Sequence, residues 1–374
     1  MDAALHQIQA RVRAAIAEQT PLRICGGGSK DFHAMQLQGD IVDTCSLTGI
    51  VSYEPSELVV TVKAGTPLAE LEAVLAAQGQ CLAFEPPHFA GSTNRQATVG
   101  GMVAAGWSGP ARASAGAVRD FVLGIEIING KAELLRFGGT VMKNVAGYDV
   151  SRLMAGSWGT LGLITEVSLK VLPVAPAETT LRFDGVSQAE ALQRLNLWGG
   201  QPLPLNASCW VEDAGVDTLY VRLRGAVAAV DAACRSMGGV RLDSAQTAGD
   251  WQACREQQLP WFTTRTATEC LWRLSVPQTA PVLALPAGVA APLVEWHGGL
   301  RWVKAPRAAG ASLHQIAQAA GGSALLFRAE SQEQISAEAI FNPNNQGVVQ
   351  IHQQLKQAFD PAGIFNPGRT SALF

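Results

Sequence analysis

Charge is scarce in this sequence. Asp, Glu, Lys and Arg make up 16% of its 374 residues, where a typical soluble domain carries roughly 25%. With 48% hydrophobic residues and a mean hydropathy of +0.13, a largely disordered chain is excluded, because disorder needs low hydrophobicity and high charge. The sparse charge also predicts that part of the surface is covered by a partner. Basic patches are lacking too. The net charge is −3 and the pI is near 6.1, and Arg222/Arg224 and Arg11/Arg13 are the densest basic pairs, so no basic stripe for nucleic acid exists. The seven cysteines (25, 45, 81, 209, 234, 254 and 270) form no CxxC pair. That excludes a zinc ribbon and iron–sulfur ligation, leaves no metal site expected, and fits reduced thiols in the cytoplasm. The uncharged run Val276–Val294 carries Pro277, Pro281, Pro286 and Pro292, so it cannot be a spanning helix. The opening residues lack the basic-then-apolar layout of a signal peptide.

What is plentiful is glycine, 38 of 374 residues, against roughly 7% on average. The excess concentrates between Cys25 and Gly162, which points to backbone approaching a ligand rather than to flexible linkers. At roughly 150 residues per domain, the length predicts two domains, or one domain and a lobe. Apolar spacing predicts a helix over 2–18, then a strand Leu22–Cys25. Strands at 50–53 and 58–63 follow, with a helix capped by Thr66 and carrying Pro67 at its first position. Asn129-Gly130 between 121–128 and 132–137 is a hairpin signal, both turn positions needing positive φ. A strand over 163–172 ends at Pro173 and Pro176, so the spacing predicts a domain boundary near 176. Beyond it, strands near 207–212, 218–224, 270–276, 300–304 and 323–328 alternate with helices at 187–198, 226–237, 247–258 and 311–320. That order predicts an antiparallel sheet with helices on one face. Val348–Phe359 reads as a closing helix.

Three glycine clusters carry the chemistry. Gly26, Gly27, Gly28 and Ser29 follow a strand, where consecutive N–H groups can face one anion. The run fits neither the dinucleotide GxGxxG fingerprint nor a Walker loop. Gly91-Ser92, Ala97-Thr98 and Gly100-Gly101 form the second cluster, with bare helix N–H groups and hydroxyl donors. Gly156-Ser157-Trp158-Gly159-Thr160-Leu161-Gly162 is the third, just before a strong strand. Any one of them is compatible with an ordinary turn or with tight packing. Three, each beside a strand, fit a large two-phosphate cofactor better.

The order GGGS, AGSTNRQATVGGMVAAG, RDFVLGIEIING and GSWGTLGLITEVSLKVLP resembles the FAD-binding family of the vanillyl-alcohol-oxidase/p-cresol-methylhydroxylase type. The closing FDPAGIFNPGR resembles that family's C-terminus. Within it, VMKNVAGYDVSRLMAGS, LWRLSVP and VEWHGGLRWVK are similar to the FAD-binding subunits of multi-subunit glycolate oxidases. The resemblance implies an α+β fold: a two-subdomain FAD domain over 1–176, a smaller ferredoxin-like antiparallel-sheet domain over 177–340, and a segment 341–374 returning to the first. It implies that FAD is held by Gly26, Gly27, Gly28, Ser29, Gly91, Ser92, Ala97, Thr98, Gly100, Gly101, Asp120, Gly156, Ser157, Gly159, Thr160, Gly162 and Ile164. With no His in the Gly26–Ser29 turn, attachment is expected to be non-covalent. It implies as partners a D-type FAD subunit and an iron–sulfur subunit, a small 2-hydroxy acid as substrate, and a cytoplasmic place, at the inner membrane face only through those partners.

One departure matters. Catalytic members of the family carry a His-x-Gly-Asp-Gly-Asn-x-His motif in the second domain, whereas here the nearest string is Trp296-His297-Gly298-Gly299. Proton abstraction from an alcohol at neutral pH needs a positioned base, and this domain offers His297 and His314 as its only histidines. Arg273, His297 and Arg301 are the weak catalytic candidates, the arginines as carboxylate clamps. The expected role is therefore electron relay or structure. A self-sufficient 2-hydroxy-acid dehydrogenase and an FAD-holding scaffold are the alternatives.

Overall fold

The computed structural model describes residues 3–33, 37–89, 96–140, 149–329 and 346–369. The chain divides into two units, Met1–Trp107 with Ala117–Pro173 and Ile335–Phe374, and Ser108–Gly116 with Val174–Gln334. This differs from one cut near 176. Ser108–Gly116 leaves the first unit because its polar groups are used by the second: Trp296 Nε1 donates to the Gly109 carbonyl at 3.0 Å, and His297 Nε2 lies 3.0 Å from Ser114 Oγ.

In the first unit β1 (Leu22–Cys25) pairs in parallel with β2 (Asp40–Asp43). The helix Ala3–Glu18 covers this pair, its Ile8, Val12 and Ala15 buried with Leu22, Val42, Ile364 and Phe365. The larger sheet contains β3 (Ile50–Glu54), β4 (Val59–Lys63), β6 (Val122–Ile128), β7 (Leu134–Gly138) and β8 (Leu163–Lys170), in the antiparallel order β3-β4-β8-β6-β7. Between them β5 (Gln80–Cys81) pairs with β9 (Leu172–Pro173). Strand alternation sends Val60, Val62, Val167 and Leu169 into the core with Leu71 and Leu75 of the helix Leu68–Ala77 and Met102 and Val103 of the helix Val99–Ala105. The intervening Thr61 and Ser168 face the other way and hydrogen-bond at 2.8 Å.

Two local expectations change. Thr66 does not cap its helix; its hydroxyl accepts the Gly49 N–H at 3.0 Å. At Asn129-Gly130 neither residue has positive φ, and the left-handed position of the turn is Ala132. Asn129 Oδ1 accepts the N–H groups of Lys131 and Glu133, an Asx-type turn. Gly130 is small for a different reason. A Cβ there would lie 2.4 Å from Asp360 Oδ1, because the C-terminal segment packs on it.

The second unit is one eight-stranded antiparallel sheet built from β10 (Ala177–Asp184), β11 (Leu205–Asp213), β12 (Val216–Gly225), β13 (Val240–Leu242), β14 (Cys270–Ser275), β15 (Leu293–Glu295), β16 (Leu300–Ala305) and β17 (Ser323–Arg328). Its order is β13-β10-β12-β11-β15-β16-β14-β17. The first four strands, with the helices Gln188–Gly199 and Val227–Met237 after their first and third members, have the fourth-first-third-second order of a ferredoxin-like βαββαβ unit. The last four repeat that order in mirror sequence, joined through the β11–β15 pair. The proline-rich 277–292 loop stands where the repeat would have its first helix, and Gly310–Ala319 is its second. Helices lie on both faces, not one. Leu181, Trp210 and Val221 pack with the helices at 188–199 and 227–237. On the opposite face Thr180 accepts the Trp251 indole N–H at 2.9 Å from the helix Ser244–Arg255.

Candidate functional site

β1 delivers the chain into Gly26, Gly27 and Gly28, and these form the floor of a cleft in the first unit, about 690 Å³ including its open mouth. The local packing allows nothing larger than glycine. A Cβ on Gly26 would lie 2.4 Å from Thr98 Oγ1, one on Gly27 1.8 Å from the Gln96 carbonyl oxygen, and one on Gly100 2.7 Å from Ala64 Cβ. Gly28 has φ +69°, a conformation that suits glycine. Thr98 caps the Val99–Ala105 helix, its hydroxyl accepting the Gly101 N–H at 3.2 Å.

The opposite side comes from the third cluster and from the end of the chain. Gly159, Gly162 and Ile164 line the cleft beside Trp158, Asn366 and Arg369. Asn366 joins the two sides: its Oδ1 accepts the Ile24 N–H at 2.7 Å and its Nδ2 donates to the Trp158 carbonyl at 2.7 Å. The closing turn is itself fixed by Lys356, whose buried ammonium donates to Asp360 Oδ2 and to the carbonyls of Thr160 and Phe365 at 2.8–2.9 Å. Burial lowers the pKa of Lys356, and Asp360 opposes that fall.

Of the residues singled out in the sequence, Gly26, Gly27, Gly28, Ser29, Thr98, Gly100, Gly101, Gly159, Gly162 and Ile164 meet at this cleft. Ala97 is buried next to it, its carbonyl accepting the Leu68 N–H. Gly91 and Ser92 lie outside the described residues. Asp120 is exposed, and its carboxylate closes a local turn by accepting the Ala117 N–H at 2.8 Å. Gly156 serves helix packing, donating its N–H to Val103. The Thr160 hydroxyl is engaged by the Ser157 carbonyl at 2.7 Å, and Ser157 Oγ is buried with no described partner. Sequence reading missed Asn366 and Arg369. The FNPGR string was the available signal, but spacing gives no hint that it comes back to residues 24–31.

The second-unit candidates do not converge. Arg273 pairs across the sheet with Trp302, and Arg301 with Leu274, so the two guanidiniums leave on opposite faces and cannot grip one carboxylate. Arg273 stacks over the Trp296 ring at 5.0 Å, with Arg112 over the same ring at 4.5 Å. Burial lowers the pKa of Arg273 to about 10, and Arg112 adds to the fall. Arg301 is almost wholly enclosed and gives Nη2 to the Ala280 carbonyl at 3.2 Å; burial lowers its pKa to about 10. His297 is buried between two serines, Nδ1 3.1 Å from Ser208 Oγ and Nε2 3.0 Å from Ser114 Oγ. Burial pushes its pKa down to about 4, so it is neutral at physiological pH. A larger cavity in this unit, about 870 Å³ including its open mouth, is lined by Trp251, Trp261, Glu212, Asp213 and Asp250, with no Lys, Arg or His among its described lining. That wall suits neither a diphosphate nor a small carboxylate.

Residues 4–138 match the model of the FAD binding domain, and residues 335–370 that of the FAD linked oxidases, C-terminal domain. The chain is 45% identical over 363 residues to glycolate oxidase subunit GlcE of Escherichia coli (strain K12), covering 97% of this chain and 96% of that protein. Glycolate oxidase subunit GlcD of Bacillus subtilis (strain 168) is 33% identical over 132 residues, 35% of this chain and 27% of that one. The solved structure of an alkyldihydroxyacetonephosphate synthase superposes with a TM-score of 0.66 at 16% identity, over 97% of this chain and 75% of that chain; at that identity the likeness concerns the fold. Fold and comparisons together define the class, an FAD-dependent oxidoreductase of α+β architecture. Within it, the chain belongs to the GlcE family of glycolate oxidase subunits.

The cleft fits the cofactor of that class. Its floor is bare backbone at Gly26, Gly27 and Gly28, and Arg369, which lines it, has a buried Nε with no described partner. Among the described residues no helix is long and apolar enough to cross a membrane.

Proposed function

We propose that this chain is the FAD-carrying subunit of a multi-subunit glycolate oxidase or dehydrogenase that converts glycolate to glyoxylate, and that it relays electrons rather than attacking the substrate itself. FAD, bound without a covalent link, would lie with its diphosphate on Gly26, Gly27, Gly28 and Ser29, faced by Thr98, Gly100 and Gly101, and with Gly159, Gly162 and Ile164 on the other wall. The bound flavin supplies what no side chain has, the uptake of a hydride equivalent and its release as electrons to an acceptor. The side chains do the rest. The glycines let backbone N–H groups come close to an anion, Asn366 fixes the separation of the two walls, and Lys356 holds the closing turn against the third cluster.

The observation that carries the relay role is the setting of His297. A general base must reach the proton it removes and hold a pKa near the working pH. His297 has both ring nitrogens opposite serine hydroxyls and a pKa near 4, which suits a structural histidine. Substrate oxidation is assigned to a D-type FAD subunit, and onward transfer to an iron–sulfur subunit.

Anaerobic addition of glycolate to the purified chain tests this. Its visible spectrum should show flavin that stays oxidised until the D-type subunit is added, and acid precipitation should release the chromophore. Bleaching by glycolate alone would replace the relay with a self-sufficient dehydrogenase. Unchanged activity of a complex whose copy of this chain holds no flavin would make it a scaffold.

A further inference from the structure

We infer that Arg369, three residues beyond Asn366 in the closing turn, binds the diphosphate of FAD. The inference rests on the reading of the glycine cleft as the FAD site. Arg369 lines that cleft together with Gly26, Gly27 and Gly28, yet it is only 6% exposed. Its Nη1 lies 3.1 Å from Asp31 Oδ1 and its Nη2 donates to the Lys30 carbonyl at 3.1 Å. The guanidinium sits 5.2 Å over the Trp158 ring, while Nε is buried with no described acceptor.

An arginine placed only to hold Asp31 would duplicate what exists. Arg23 Nη2 already binds Asp31 Oδ2 at 2.7 Å. Arg23 and Arg369 thus share a single carboxylate at the end of the glycine turn, two guanidiniums to one anion. A guanidinium is costly to bury unless an anion answers it, and its planar fork matches phosphate oxygens. A diphosphate laid on the glycines meets both needs.

Fluorescence titration of the flavin-depleted full chain with FAD, and separately with riboflavin, reads the role. Wild type must first bind FAD; if it does not, the cleft reading fails and this inference falls with it. Arg369→Met should weaken FAD binding roughly 10- to 100-fold, the range of one charged hydrogen-bonding group, with Arg369→Lys between the two. Riboflavin, which has no phosphate, should bind Arg369→Met as it binds wild type. Asp31→Asn removes the competing carboxylate and should bind FAD at least as tightly as wild type. FAD binding to Arg369→Met equal to wild type, or an equal loss for FAD and riboflavin, overturns the inference. So does an Asp31→Asn variant that weakens FAD binding, since Arg369 would then act only through Asp31. Should Arg369→Met not fold, Asp31→Asn and Arg369→Lys decide the matter.

Discussion

Gly27 has no room for one more carbon, because the Gln96 carbonyl oxygen would lie 1.8 Å from it. That oxygen belongs to backbone and cannot swing away. Gly27→Ala should therefore cost about 1–3 kcal/mol, as overpacking does, and should lower the flavin content of the purified chain. Gly199→Ala, at a helix end where nothing lies within 4 Å of the new Cβ, should do neither; urea unfolding and the flavin-to-protein absorbance ratio compare the two. His297 makes a second prediction. Its folded pKa is about 4 against 6.5 unperturbed, so below pH 6.5 the unfolded chain binds a proton that the folded chain refuses. The stability it holds above pH 6.5 is lost as pH falls toward 4. Between pH 7 and pH 5 this amounts to about 2 kcal/mol. His297→Gln should show that much less change in its unfolding free energy, extrapolated to water from urea titrations, over the same interval. An equal change in both proteins would mean that His297 protonates freely in the fold.

The closing element depends on a buried pair. Lys356 and Asp360 meet at 2.8 Å, and Asp360 also accepts the N–H groups of Ile364 and Phe365. Asp360→Asn would strand an ammonium among carbonyls and should destabilise the chain by about 3–5 kcal/mol. Lys356→Met leaves Asp360 with two backbone donors and should cost less; the order of the two urea midpoints is the check. How legible such elements are from sequence depends on whether their pattern is local. The helix 3–18 and the strands around Val60 and Val167 follow from periodicity alone, and the first glycine cluster from its place after a strand. β10 escaped because Thr179 and Thr180 break its apolar alternation, and Thr180 is buried to meet Trp251. β15 escaped because its three residues end a proline-rich run. Gly130 was read correctly as a turn residue for the wrong reason, since the demand on it comes from Asp360, more than two hundred residues away in sequence. Arg369 is the same case at the site: its partners Lys30 and Asp31 lie at the other end of the chain.

At the scale of the whole molecule, the second unit is a doubled ferredoxin-like sheet whose repeat cannot be read from sequence, because the second half has the 277–292 loop where the first has a helix. The doubling clarifies where a base would have to come from. Alternation sends Arg273 and Arg301 to opposite faces, and His297 sits in a left-handed turn at φ 55° with its ring enclosed. Such strain costs of order 1–3 kcal/mol and is retained where surrounding contacts enforce it; here Ser208 accepts the His297 N–H at 3.0 Å as well as facing Nδ1. This argues for a histidine that fixes the turn joining β15 to β16, as the proposed relay role requires. In the assembled complex, His297→Gln should therefore leave glycolate turnover at wild-type levels and its pH profile unmoved. A base removed from the chemical step would instead cost about 10²- to 10⁴-fold. Steady-state rates from pH 5 to 9, on complexes verified to hold equal flavin, separate these outcomes, and a loss of that size would return the chemistry to this subunit.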